Sequence, residues 1–116
     1  MKLADVRRFA LSLPEVTEEP HFDLTSFRVK GKIFATVPPE GTHLHVFVDG
    51  EELELMPLAK PNAYEKLLWG KRVAGLRVTL AAAKADDVKD LLRGAWRRKA
   101  PKRLAAALGD GYSSAP

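Results

Sequence analysis

The feature that most constrains the fold is a stripe of apolar residues near the C-terminal end of the chain. The stripe has the spacing i, i+3, i+4, i+7 and i+8 of one helix face and consists of Val88, Leu91, Leu92, Ala95 and Trp96. Acidic residues precede it and basic residues end it, an order that suits the helix dipole. Because a helix with one apolar face buries that face against another element, the chain needs a second layer.

Alternating residues in the first half predict that layer. Residues 26–37 alternate between apolar and polar and indicate a β-hairpin, and residues 44–48 indicate a third strand. Gly31-Lys32 suits a tight turn, and Lys30 and Lys32 lie at the exposed tip of the hairpin.

The sequence leaves two registers open for this hairpin. A two-residue turn places Phe27, Val29 and Phe34 on one face. A three-residue turn instead aligns Phe27 and Val29 with Ile33, Ala35 and Val37. A slip of one residue exchanges the two faces, because successive side chains of a strand point to opposite sides.

The remaining elements complete an α-βββ-α-β(β)-α order. In the first half we expect a helix over 3–13 that ends at Pro14, and then an acidic loop over 14–20. A second helix should begin at Gly50 with Asp49 as its N-cap, followed by a helical piece over 62–69. One or two strands over 72–80 should precede the long helix, and a short helix over 102–108 should follow it. This order predicts an α+β two-layer sandwich, an antiparallel sheet with helices on one face. Residues 1–108 form a single domain in this interpretation, and 109–116 a flexible tail.

Composition limits the classes of protein. The chain has 116 residues, of which 46% are hydrophobic, so it is not mainly disordered. It has no cysteine, which excludes disulfides, thiolate zinc sites and cysteine nucleophiles and is compatible with the cytoplasm, where we place the protein. The sequence contains neither a membrane-length apolar run nor the apolar core of a signal peptide, so we expect no membrane association.

Positive charge is concentrated in the second half of the chain. The net charge is +4, but residues 1–58 carry six basic and ten acidic side chains, a net −4, whereas residues 59–116 carry thirteen and five, a net +8. The candidate nucleic-acid-binding residues are Arg28, Lys30, Lys32, Lys71, Arg72, Arg97, Arg98, Lys102 and Arg103. Such side chains can contact phosphates. Cations at the C-terminal end of a helix also stabilise the helix itself. For Arg97 and Arg98, at the end of the long helix, phosphate binding and helix stabilisation are therefore both open.

Other chemistry has weaker support. His43 and His45 share a strand face and could bind a metal with His21 or a carboxylate, but the pattern favours solvent-facing polar positions opposite the apolar residues of the strand. The acidic residues Glu15, Glu18, Glu19 and Asp23 form no pattern typical of acid–base catalysis. The serines lack a nucleophile elbow and the glycines form no phosphate-binding motif. We therefore predict no enzymatic activity, no metal and no cofactor.

Three segments together resemble the MmcQ/YjbR family. Residues 13–18 with Phe22 resemble its opening LPGVTE…F, residues 27–35 resemble its hairpin F-K-V-G-G-K-x-F-A, and residues 95–104 resemble its C-terminal A-W…A-P-K-R-L. The chain departs from many members at Val73-Ala74-Gly75-Leu76, where those carry a stretch with His and Trp. The resemblance covers about residues 3–108 in the same order.

The resemblance implies a sandwich related to the CyaY/frataxin-like and secretion-chaperone-like architectures, and DNA binding through a double wing of hairpins without enzymatic activity. With the basic residues above, it favours largely sequence-independent binding of DNA. The alternatives are a protein-interaction or adaptor domain that pairs with a protein partner or as a homodimer, and a small-ligand pocket lined by His43, His45 and nearby aromatic residues.

Overall fold

The computed structural model describes residues 1–113, with side chains described through Ala107. Six strands form one antiparallel sheet in the order β1-β2-β3-β4-β6-β5, and the helices pack against it. In chain order the elements are α1 (Leu3–Ser12), β1 (Val16–His21), β2 (Leu24–Val29), β3 (Lys32–Val37), β4 (His43–Val46), α2 (Gly50–Ala59), β5 (Tyr64–Trp69), β6 (Arg72–Thr79), α3 (Ala85–Lys99) and α4 (Lys102–Ser113). The predicted α+β architecture is confirmed.

The apolar stripe of α3 forms the centre of the core, as its spacing predicts. All five stripe residues are buried, and α3 packs on β3 and β4. The indole Nε1 of Trp96 donates a hydrogen bond of 3.0 Å to the carbonyl oxygen of Pro14, so this large ring is buried with its polar atom paired. Trp96 therefore fixes α3 to the segment that connects α1 with the sheet.

The β2–β3 hairpin combines features of both predicted registers. Its turn has two residues, Lys30 and Gly31, rather than Gly31 and Lys32, because Val29 pairs with Lys32. Both turn residues have positive φ, +50° and +80°, as in the type I′ turn that matches strand twist. A β-bulge then makes Phe34 an extra residue, so that Phe34 is buried together with its neighbour Ala35.

Two predicted segments are wrong, and both are the edge strands of the sheet. Residues 14–20 were expected as a loop, but most of them belong to β1, and residues 62–69, expected to be helical, mostly form β5. Pro20 is tolerated in β1 because an edge strand has hydrogen-bond partners on one side only. Edge strands also carry a weak apolar alternation, since little of their surface is covered.

Helix α2 begins at Gly50, as expected, but its N-cap residue forms no capping bond and its last turn contains a proline. Asp49 occupies the N-cap position without a side-chain capping bond, and its carboxylate instead forms an ion pair with Arg98 at 3.1 Å. The helix continues through Pro57, close to its end, where the N–H of Lys60 still donates to the carbonyl of Met56. The lost proline N–H therefore costs one bond of a terminal turn rather than the helix.

The last helix extends further than the sequence indicates. Residues 102–108 were expected to form a short helix, and α4 runs to Ser113. The partly buried Leu104 and Ala105 of α4 pack against the core. The end of the proposed tail, residues 114–116, lies outside the described residues, so its flexibility stays a prediction.

Candidate nucleic-acid interface

Two hairpin tips and the end of α3 lie at the same end of the sheet. Strands β2, β4 and β5 run in one direction, because each neighbouring pair in the sheet is antiparallel. The turns that follow β2 and β5 therefore lie at one end, together with Phe47, just after β4. Arg98, in the last turn of α3, donates a hydrogen bond of 2.8 Å to the carbonyl of Phe47. We call this end of the molecule the basic end.

The first tip is partly neutralised. Lys30 and Lys32 are exposed there, but the Nζ of Lys30 lies 3.2 Å from a carboxylate oxygen of Glu15. Lys32 makes no ion pair with any residue that the structure describes. Of the two lysines, Lys32 carries the charge that is fully available to a ligand.

The second tip carries more available charge. Gly70 has a φ of +62° at the first turn position, as in a type II′ turn, and Lys71 and Arg72 follow it. Both cations are exposed and form no ion pair within residues 1–107. Arg72 lies directly opposite Trp69 in the strand pairing, so the two side chains share a face.

The end of α3 contributes a third group of cations. Arg97 and Lys99 are half-buried, and Lys102 and Arg103 follow at the exposed start of α4. Arg98 has a structural role, because its guanidinium binds both the Phe47 carbonyl and the Asp49 carboxylate. That bond ties the end of α3 to the end of β4.

Arg28 is the predicted site residue that does not lie at the tip. It points from β2 onto the sheet face opposite the helices, where its Nε donates to the Ser26 hydroxyl at 2.9 Å and its guanidinium to the Pro20 carbonyl at 3.3 Å. The two-residue turn places Arg28 opposite Ile33, and the bonds to Ser26 and Pro20 direct its guanidinium away from the tip. The structure therefore groups eight of the nine predicted cations and separates Arg28 from them.

A groove of about 670 Å³ runs from the β1–β2 turn along the sheet to the basic end, and Leu53 of α2 and Arg98 and Lys99 of α3 also line it. Its lining includes Phe47, Trp69 and Arg72 near that end and Phe22 at the other. The rings of Phe47 and Trp69 meet edge to face with centroids 5.4 Å apart. Sequence reasoning missed this pair, and the available signal was a tryptophan directly before the Gly-Lys-Arg turn.

His45 lies in the same groove, in surroundings that disfavour its charged form. Burial, with the positive charge of Arg77 and then of His43 as further causes, lowers the pKa of His45 below 6.5, and Glu65 opposes this shift. Arg77 lies 3.3 Å from the His45 Nε2. His43, on the same strand, instead contacts the Thr42 hydroxyl through Nδ1. The proposed histidine metal site therefore has no third partner here: residues 1–107 contain no group of three or more His, Asp or Glu side chains that could hold a metal ion.

The acidic residues considered for catalysis do not converge. The Nε of Arg7 in α1 donates to both carboxylate oxygens of Glu18, Glu19 accepts from the Thr17 hydroxyl, and Glu15 pairs with Lys30. Asp23 lies in the turn between β1 and β2, at the end of the sheet opposite the basic end. The ion pair of Glu18 connects β1 to α1, and that of Glu15 connects the segment before β1 to the first tip.

The sequence matches a known family over most of its length. The family model described as YjbR matches residues 11–98. The chain belongs to the YjbR family. This confirms the resemblance seen in the sequence motifs.

A solved structure shares the fold. It is the crystal structure of the Deinococcus radiodurans protein DR2400, described with the domain DUF419, which is 24% identical, with a TM-score of 0.73 over 84% of this chain and 77% of that chain. No curated protein matches the sequence. Among the described residues, the helices of this YjbR protein are all too short or too polar to cross a membrane.

Proposed function

We propose that this YjbR protein is a cytoplasmic, non-enzymatic DNA-binding protein whose basic end contacts the phosphate backbone as a double wing. The observation that carries the proposal is the common location of the two hairpin tips and the end of α3. The tips are separated by β4, so their centres lie about 14 Å apart, or three strand spacings. That separation is close to the width of about 12 Å of the DNA major groove.

The charge of the basic end supports contact with phosphates rather than with base edges. Lysine and arginine predominate there, and the side chains that typically read base edges in pairs, asparagine and glutamine, do not occur at the tips. Binding through phosphates is largely independent of sequence and weakens as salt rises, because each contact releases counterions.

The test is a fluorescence-anisotropy titration of duplex DNA over a range of salt concentrations. The test variant is Lys32→Gln with Lys71→Gln, which removes one available charge from each tip. The control is Lys2→Gln with Lys84→Gln, which removes the same charge at the opposite end of the sheet, where Met1 bonds to Leu80. A plot of log affinity against log salt concentration has a negative slope. The test variant should make this slope less steep by about 2, and the control should leave it unchanged.

Two results would overturn DNA binding at the basic end. One is no binding of duplex at low salt. The other is equal loss of affinity in the test and control variants, which would indicate a nonspecific effect of net charge.

A protein-interaction role is the second candidate, and one surface favours it. Leu55 and Leu58 of α2 and Leu68 of β5 are exposed, and α2 packs beside β5. Exposed leucines on adjacent elements are typical of contact surfaces. Light scattering should then show a dimer that Leu58→Ala weakens, whereas a monomer at all concentrations would contradict a homodimer.

A further inference from the structure

At the basic end, the groove is lined by the aromatic side chain of Trp69, which is not part of the buried core. Trp69 is 61% exposed, although its edge-to-face partner Phe47 is only 9% exposed. Trp96, by contrast, is fully buried. A large exposed aromatic ring supported from below by a buried one is a surface against which a planar ligand can stack.

Cations lie beside this aromatic surface. Arg72 is opposite Trp69 across the hairpin, and Lys99 lines the groove from the end of α3. Neither forms an ion pair within residues 1–107, whereas Arg98, which also lines the groove, is paired with Asp49. The available charge at this end of the groove is therefore positive and suits an anionic group.

The rest of the lining has the character of a small-molecule site. Val48, Leu53 and Val73 supply apolar walls, and Thr36 and His45 supply hydrogen-bonding groups. The volume of about 670 Å³ lies within the usual range of ligand pockets. A ligand with a planar polar ring and an attached anion satisfies the aromatic, polar and cationic parts together.

We propose that the groove binds a nucleotide, with its base stacked on Trp69 and its phosphate held by Arg72 and Lys99. The proposal rests on the proposed function, since the groove opens at the basic end and its nucleotide then belongs to a DNA strand. A base inside a duplex is stacked on its neighbours and cannot enter. The protein therefore prefers single-stranded or unpaired DNA to duplex.

Tryptophan fluorescence tests the stacking directly. The full-length protein is titrated with a short thymidine strand, with a strand of the same length made of abasic residues, with the matching duplex, and with thymidine monophosphate. Only the exposed Trp69 should be quenched, because Trp96 is buried. The thymidine strand should quench Trp69 and bind about 5- to 150-fold more tightly than the abasic strand, the range expected for one stacked base.

Three variants separate stacking from folding. Trp69→Ala should reduce the affinity for the thymidine strand to that for the abasic strand and leave duplex binding unchanged. Trp69→Phe should keep most of the affinity but abolish the quenching. Leu11→Ala removes an apolar side chain that is 42% exposed on α1, outside the groove, and should change neither.

The outcomes distinguish the two proposals. Equal affinity for thymidine and abasic strands, or equal effects of Trp69→Ala on duplex and single strand, overturns the groove proposal and leaves duplex binding standing. Binding of no strand at low salt overturns the proposed function. If thymidine monophosphate alone then still quenches Trp69 saturably, the groove is a site for free nucleotides; if it does not, the groove proposal fails as well.

Discussion

The two hairpins that reach the basic end are built alike and used differently. Each has a two-residue turn with positive φ at glycine and a β-bulge next to the tip. The β2–β3 hairpin lies inside the sheet, and Phe27, Val29 and Phe34 are fully buried under it. The β5–β6 hairpin lies at the edge and leaves Trp69 exposed.

The difference shows that the position of a hairpin in the sheet determines whether its side chains pack in the core or are available to a ligand. The interior hairpin supplies core packing, and its tip is partly neutralised by Glu15. The edge hairpin contributes less to the core and keeps its cations available at Lys71 and Arg72. We therefore expect stability to depend on the first hairpin and binding to depend more on the second.

The largest expected effect is on stability at the interior hairpin. Phe34→Ala removes a fully buried ring and should lower the free energy of unfolding by about 3–5 kcal/mol in urea denaturation. Leu68→Ala, at a side chain that is 57% exposed on the edge hairpin, should change it by about 0.5 kcal/mol or less. Similar losses in the two variants would contradict the difference between the hairpins.

The next effect comes from the contact of the edge hairpin with β4. A Cβ added at Gly75 would lie 2.2 Å from the carbonyl oxygen of Val46 and 3.0 Å from the Cα of Phe47, so β6 would have to move. Gly75→Ala should lower the free energy of unfolding by about 3 kcal/mol. It should also change the emission of Trp69, which rests on Phe47. A variant with the stability and emission of the parent protein would show that β6 and β4 can separate without cost.

A smaller effect should be the same in both hairpins. Gly31 has a φ of +80° and Gly70 of +62°, and an added Cβ would meet no atom within 4 Å at either position. Gly31→Ala and Gly70→Ala should therefore each cost about 1–2 kcal/mol, from backbone conformation alone. Thermal unfolding of the two variants checks this, and a much larger loss at one turn would reveal a tertiary role for that tip.

The smallest effect is a pH dependence from His45, on the strand between the hairpins. Since its pKa in the folded protein lies below 6.5, the unfolded chain binds a proton first as pH falls. The free energy of unfolding should therefore fall as pH decreases from about 6.5 towards the folded pKa. His43, Glu65 and Arg77 are the charged or titratable groups acting on this ring. In His45→Gln the dependence should be flatter, and an identical pH profile would assign the effect elsewhere.

The strongly periodic parts of the sequence were sufficient to predict the core. The α3 stripe and the alternation in β4 identify the buried residues of those two elements, because one face of each is covered. In β3, by contrast, four consecutive residues from Phe34 to Val37 are buried. The edge strands β1 and β5 could not be identified in this way, since their polar residues face solvent. The extra residue at Phe34 was also hidden, because a bulge leaves no mark in a pattern of period two.

The candidate site was only half predictable. The sequence identifies the cations, but their convergence depends on strand order, which places turns from distant parts of the chain at one end. It also depends on side-chain partners, which remove Arg28 and Arg98 from the available set. The groove needs Phe47 and Trp69 to meet across the sheet, and no spacing in the chain indicates this contact.

The unequal edges of the sheet have a consequence for how copies of the chain can associate. Every edge strand offers unpaired backbone N–H and C=O groups to a strand from another molecule. At β1 the proline Pro20 and the glutamates discourage such pairing. At β5 the exposed side chains of Leu68 and Trp69 favour pairing with another strand, and Glu65 and Lys66 are the charged residues of this strand. If copies of the chain add to this sheet, we expect them to add at β5, and a ligand that covers Trp69 would block that edge.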